Sequence, residues 1–174
     1  MKCSTNSPLS GKGSAVLILA YGNPLRGDDG VAWRAADALQ DKFPETQVEI
    51  RCLHQLTPEL AETVSRFACV IFVDAASPQA GKPGEIRVEE LLTETITGTA
   101  VGHSLSAGSL LALAASLYGA KPRAFSVTVT GEDFGHRDRL SPVVAAAVPD
   151  LIRRVESLAR SALSGDSLLA NTFA

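Results

Sequence analysis

Two uninterrupted apolar runs, residues 15–20 (Ala-Val-Leu-Ile-Leu-Ala) and residues 69–73 (Cys-Val-Ile-Phe-Val), limit most strongly what this chain can fold into. Neither alternates polar with apolar residues, so neither reads as a strand with one wet face. A strand of this kind belongs in the middle of a parallel sheet, covered on both sides. Both runs are far too short to cross a bilayer, and the first lacks the small-residue cleavage site of a secretory signal. A cytoplasmic protein with no membrane partner is expected.

Further strands are read at residues 47–53, 85–89 and 124–130, the last with period-two alternation. Helices fall between them. One opens at Asp28-Asp29 and stops at Pro44, with Val31, Ala35, Ala38, Leu39 and Lys42-Phe43 on one side and Arg34, Asp37 and Asp41 opposite. A short one is read over residues 58–67, with Thr57 as its cap. Leu110, Leu113, Ala114, Leu117 and Tyr118 have helical spacing, which Gly119 ends as a C-cap. Ser141-Pro142, an N-cap followed by a first-turn proline, starts a helix to about Leu163. Pro149 should kink or break that helix, because it removes a backbone hydrogen bond. Strands alternating with helices predict a single α/β domain: a mostly parallel, twisted five-stranded sheet with helices on both faces. Its expected extent is residues 14–164, between a flexible N-terminal tail over 1–13 and a C-terminal tail over 165–174.

Charge narrows the partners. The net charge of −3 supplies no basic field for a nucleic-acid backbone. The three cysteines, Cys3, Cys52 and Cys69, have no metal-type spacing, and the latter two read as small buried hydrophobes in or beside strands. There is no Gly-x-Ser-x-Gly elbow and no His-Glu-x-x-His helix, so nothing points to a serine nucleophile or a zinc helix.

In open parallel sheets, chemistry gathers at the carboxyl ends of the strands. Asp28 and Asp29 follow the first strand, His54 the second, and Asp74 ends the third. His103 precedes the central helix, while Glu132, Asp133 and His136 follow the fifth strand. Asp29, Asp74 and His103 stand out, since two carboxylates and an imidazole can hold a borderline divalent metal such as nickel or zinc. The plainer reading of Asp28 and Asp29 is helix capping, which would occupy one and leave the other free. Asp74 is harder to dismiss, because a carboxylate directly after apolar strand residues is costly unless paired or functional. Asp28, His54, Trp33 and Arg26 are candidate substrate contacts. Trp33 falls on the polar side of the first helix, where a surface tryptophan favours docking of a partner.

These residues lie in stretches that resemble the nickel–iron hydrogenase maturation endopeptidases. The stretches are Gly22-Asn23-Pro24-Leu25-Arg26-Gly27-Asp28-Asp29-Gly30-Val31, Val70-Ile71-Phe72-Val73-Asp74-Ala75 and His103-Ser104-Leu105. Gly131-Glu132-Asp133-Phe134 and Leu140-Ser141-Pro142 complete the resemblance, which spans residues 15–160. It implies an endopeptidase, a hydrolase that removes a C-terminal extension from the nickel-loaded precursor of the hydrogenase large subunit. It further implies that Asp29, Asp74 and His103 contact nickel, supplied by the substrate rather than held permanently, with no tightly bound cofactor. A monomer is expected. His103 is followed here by Ser104 and Leu105, and residues 136–138 read as an insertion; both depart from the commonest pattern and bear on the surroundings of the metal.

Two rival readings keep an α/β fold. One is a chaperone-like module that inspects nickel in a partner without cutting it. The other is a nucleotide-binding domain built on the loop at 22–30, which has neither the dinucleotide glycine spacing nor a Lys-Ser/Thr ending. There Asp28 and Asp29 would also repel phosphate.

Overall fold

A computed structural model describes residues 15–92 and 105–165. The tail residues 1–13 and all but the first of 165–174 lie outside the described residues, as does His103. The elements run β1 (Val16–Tyr21), α1 (Val31–Leu39), β2 (Val48–Leu53), α2 (Leu60–Val64), β3 (Cys69–Ala76), β4 (Ile86–Leu91), α3 (Ala107–Tyr118), β5 (Arg123–Thr130) and α4 (Pro142–Ser164). The five strands form one sheet in the order β2-β1-β3-β5-β4. All neighbours pair in parallel except β4, which runs antiparallel along β5.

The two apolar runs form β1 and most of β3, both inside the sheet, and each feeds two cores. Val16, Ile18 and Ala20 of β1 join Ile71 and Val73 of β3 in a cluster with α1 and α4. The alternate residues Leu17, Leu19, Val70 and Phe72 join Leu110, Leu111 and Ala114 of α3 on the opposite face. Every one of these side chains is essentially closed to water. Each large one contributes roughly 1.5–3 kcal/mol of hydrophobic stabilisation. The unbroken apolar pattern is thus the consequence of helices on both sides.

Several local expectations need correction. β3 does not stop at Val73 but continues to Ala76, because β5 pairs with it as far as Ala76 opposite Thr130. The helix expected over 58–67 shrinks to Leu60–Val64, and Thr57 does not cap it. Gly119, by contrast, takes the left-handed conformation that closes α3, and Ser141 caps α4 through its hydroxyl. Pro149 does not break α4, which is continuous over 23 residues. Ala145, whose carbonyl loses its partner there, is exposed, so the lost bond does not leave a buried residue unsatisfied. Val144 before the proline and Leu151, Val155 and Leu158 after it are buried in one core, which holds both halves in line. Cys69 is a free, buried thiol. Cys52 is buried as well, as its strand position predicts.

The topology makes a crevice. From β1 the chain passes through α1 on one face to β2, then through α2 on the other face to β3, which lies on the far side of β1. The connections leave β1 in opposite directions, so the carboxyl ends of β1 and β3 flank a switch point, the usual place for a site in such sheets.

Candidate functional site

The segment that leaves β1 is folded tightly by its glycines and by Asn23. Gly22 has φ of 130°, and a Cβ there would lie 2.2 Å from the carbonyl oxygen of Asp29. Only glycine permits that approach. Asn23 turns the chain with its side-chain oxygen, which accepts from the Leu25 N–H at 2.9 Å. The Asn23 N–H in turn donates to Asp29 Oδ2 at 2.8 Å. A single 3₁₀ turn, Gly27–Gly30, then leads into α1.

The two adjacent acids in that turn have opposite fates, and neither caps a helix through its side chain. Asp28 is completely buried. Its Oδ2 accepts the N–H groups of Glu132 at 2.8 Å and Asp133 at 2.9 Å, and the Ser141 hydroxyl at 2.9 Å; Oδ1 accepts the Ser141 N–H at 2.7 Å. Burial opposes its charge, but the hydrogen bonds from Asp133, Glu132 and Ser141 outweigh that and hold the carboxyl below its ordinary range. The backbone of the same stretch is zipped to the loop after β5. Arg137 N–H donates to Leu25, Gly27 N–H to Arg137 and Asp28 N–H to Asp133. Asp28 is therefore a structural clamp, and its expected role as a substrate contact is corrected: it has no free lone pair facing solvent.

Asp29 is half-buried, and its carboxylate lies beside Gly22 and Asn23 at the carboxyl end of β1, the sheet edge at which Asp74 of the neighbouring β3 also stands. Phe72 and Val70 face α3, so by strand alternation Asp74 points to that same side, beyond the end of the apolar layer. Its Oδ1 accepts the Ala75 N–H at 2.7 Å. Burial pushes the Asp74 carboxyl up to about 7; the Ala75 N–H opposes this, the charge of Asp29 adds to it, and the Tyr21 hydroxyl opposes it. A carboxyl raised in this direction by burial is suited to general acid or base work.

Tyr21 was not legible as a site residue. It is the last residue of β1, one step beyond Ala20, which pairs with Val73, and so it stands abreast of Asp74. Its ring packs against the α3-side core, on the face of the sheet to which Asp74 also points. Burial, and after it the charge of Asp74, push the phenol well above its ordinary range. The signal was present only as a polar tip on the last residue of an apolar run. Asn23 was likewise missed, because its task is carried by its backbone N–H.

The other candidates are spread around the same edge. His54 is exposed, and its ring packs on Trp33, centroid to centroid 5.3 Å and tilted by 40°. Trp33 itself is corrected: it is only 7% exposed and belongs to the core. Its indole N–H donates to the carbonyl of Leu53 at 3.1 Å. Nearly every residue of α1 around Trp33 is buried, so that end of the helix has no polar side for a docking tryptophan. Arg26 is exposed, and its backbone bridges to Arg137; His136 is exposed on the same loop. Among the described residues, no three His, Cys, Asp or Glu side chains gather as a metal site, and no helix is long and apolar enough to cross a membrane.

No family model matches this chain, and no curated protein does. Solved structures do. The hydrogenase maturating endopeptidase HybD from E. coli superposes with a TM-score of 0.72 at 24% identity, over 84% of this chain and 92% of that one. A second structure, described as the solution structure of an endopeptidase from Escherichia coli, gives 0.70 at 23% identity over 84% and 92%. The [NiFe] hydrogenase maturation protease HycI from Thermococcus kodakarensis KOD1 gives 0.65 at 21% identity over 89% and 95%. The fold of this chain is the fold of the hydrogenase maturation endopeptidases.

Proposed function

We propose that this protein is an endopeptidase that removes the C-terminal extension from the nickel-loaded precursor of a nickel–iron hydrogenase large subunit. The observation that carries this reading is the shared fold, in which Asp29 follows β1 and Asp74 lies on the neighbouring β3, at the β1/β3 switch point and in the two segments that resemble the family's motifs. His103, the third member of the set, lies outside the described residues. Nickel is part of the substrate in this reading. Oxygen and nitrogen donors compete poorly with thiolates for nickel, so Asp29, Asp74 and His103 would touch a nickel held by the precursor's cysteines without removing it.

Hydrolysis needs a proton taken from the attacking water and one delivered to the leaving amine. Asp74, whose carboxyl burial raises above the ordinary carboxylate range, suits that exchange, while contact of Asp29 and His103 with the nickel would fix the position of the scissile bond. Among the described residues the free thiol of Cys69 makes a poor nucleophile, since it is buried in the sheet and burial pushes it up to about 11. The protein is expected to act in the cytoplasm, as a monomer.

The test is the mass of the precursor. Incubation of the nickel-loaded precursor with this protein should remove the mass of the extension. Asp29→Asn and Asp74→Asn, each checked for folding, should leave it intact. A precursor of unchanged mass, still bound to the wild-type protein, would replace the proteolytic reading with that of a metal-inspecting module.

A further inference from the structure

We propose that the side-chain amide of Asn23 is a further catalytic group, donating a hydrogen bond to the carbonyl oxygen of the scissile peptide as that oxygen gains negative charge; this rests on the functional reading above. Asn23 lies just beyond β1, and its backbone N–H holds Asp29 Oδ2 at 2.8 Å. Its side chain therefore starts beside the carboxylate that the proposed function gives to the substrate's cation. The orientation of its amide is forced. The Leu25 N–H can only donate, so the atom that faces it at 2.9 Å is the carbonyl oxygen, and the NH₂ lies on the other branch. Among the described residues that NH₂ has no hydrogen-bond partner, and no buried side-chain nitrogen or oxygen is left unpaired. Two donors on a half-buried residue are thus open to an incoming group.

The backbone beneath this amide is held on both sides, and a donor that needs no rearrangement is what stabilises developing charge best. Before it, Gly22 presses on Asp29 so closely that a Cβ would lie 2.2 Å from the Asp29 carbonyl oxygen. After it, Pro24 has a fixed φ and packs on Gly30, where a Cβ would lie 2.9 Å from the Pro24 Cα. Residue 23 is pinned between two contacts with the turn that carries Asp29. In the hydrolysis, the oxygen of water bonds to the carbonyl carbon, its proton passes to Asp74, and the carbonyl π pair moves onto the oxygen that Asn23 faces. That pair then re-forms the C=O, the C–N bond breaks, and the amine leaves with the proton that Asp74 returns. A lysine or arginine in this place would pair with Asp29 and repel the cation. A neutral amide does neither.

The experiment measures precursor processing by wild type, Asn23→Asp and Asn23→Ser, together with the melting temperature and the hydrogen exchange of the amides at positions 23 and 25. Both substitutions keep an oxygen that accepts the Leu25 N–H and remove the NH₂, and only the first adds a charge. Both should keep the melting temperature and the exchange protection and lower kcat about 100- to 1000-fold. KM for the precursor should stay nearly unchanged, because the lost bond strengthens only in the transition state. A wild-type kcat in either variant would overturn the role of the amide and leave the protease reading in place. A slow rate in both that comes with lost protection at positions 23 and 25 would overturn it too, making Asn23 a turn residue only. A wild type that leaves the precursor uncut would remove the protease reading and this inference with it.

Discussion

Replacing Asp28 with asparagine tests whether this acid of the Gly22–Val31 stretch acts as a clamp rather than as part of the site. The wild-type carboxylate accepts one hydrogen bond at Oδ1 and three at Oδ2, with no solvent contact. An asparagine keeps the most bonds with its oxygen in the Oδ2 position. Its NH₂ then faces the Ser141 N–H, donor against donor, in a place water does not reach. One charge-assisted bond is lost outright, and the other three fall to neutral strength. The relief of no longer burying a charge offsets part of this. The net cost is about 2–4 kcal/mol, from the penalty for an unsatisfied buried donor plus the weakened bonds. That is a large share of a domain's stability, roughly 5–15 kcal/mol.

The pH dependence of this gap carries a sign. Because the folded Asp28 carboxyl lies below its ordinary value, its contribution is fully present above the unfolded value of roughly 3.9. It is lost as pH falls through the folded one. Asparagine does not titrate, so the difference between wild type and Asp28→Asn should be widest at neutral pH and shrink below pH of about 4. Urea unfolding curves at pH 7 and pH 3 measure both quantities. A difference below about 1 kcal/mol at pH 7, or one that stays constant down to pH 3, would refute the clamp.

Other expectations follow from the same geometry. Asp74→Asn should abolish processing yet stabilise the fold. Its folded carboxyl is raised to about 7, so ionisation destabilises the native state progressively from pH of about 4 to 7, and the variant should gain about 1–3 kcal/mol at pH 8 and nothing at pH 4. Parallel denaturation at the two pH values reads this, and a variant less stable than wild type at pH 8 would contradict it. Gly22→Ala should cost about 3 kcal/mol or more, since the new Cβ would collide with the Asp29 backbone; a folded variant should show displaced Asn23 and Asp29 amide resonances. Trp33→Phe should lose about 1–2 kcal/mol for the missing Leu53 hydrogen bond without raising KM for the precursor. A raised KM would restore Trp33 as a docking residue.

The layered fold was legible because burial on two faces leaves an unbroken apolar run, and the runs at 15–20 and 69–73 had no other use. Helix ends were legible where the chemistry is local. Ser141 and Gly119 do their work through their own side chain or their own φ. Pro149 was misread for the same reason in reverse: a local rule predicted a break, and a core of residues on either side of it overrode the rule. Trp33 was misread because periodicity assigned it to a wet side of α1, whereas the helix end there is enclosed by the sheet and α4. The edge on which Asp29 and Asp74 meet followed from strand order and could be anticipated. Which acid of the Asp28-Asp29 pair would face it could not, since both are helix-start acids in sequence.

That division between neighbours has a geometric origin. Within one 3₁₀ turn, consecutive side chains point roughly 120° apart. Two adjacent acids at a helix start therefore cannot both face one crevice. One direction here leads to the loop after β5, whose three N–H groups converge on a carboxylate; the other leads to the end of β3. A carboxylate in the first direction is neutralised by donors and ties the two loops together. Among the described residues, a carboxylate in the second direction accepts one backbone N–H, that of Asn23, which leaves lone pairs that the proposed function assigns to the substrate's cation. Exchanging the two demands is impossible without moving the chain, so Asp28→Asn should act on stability and Asp29→Asn on processing. A reversal of those two phenotypes, measured by urea unfolding and precursor mass in the same preparations, would show that the turn is wound the other way.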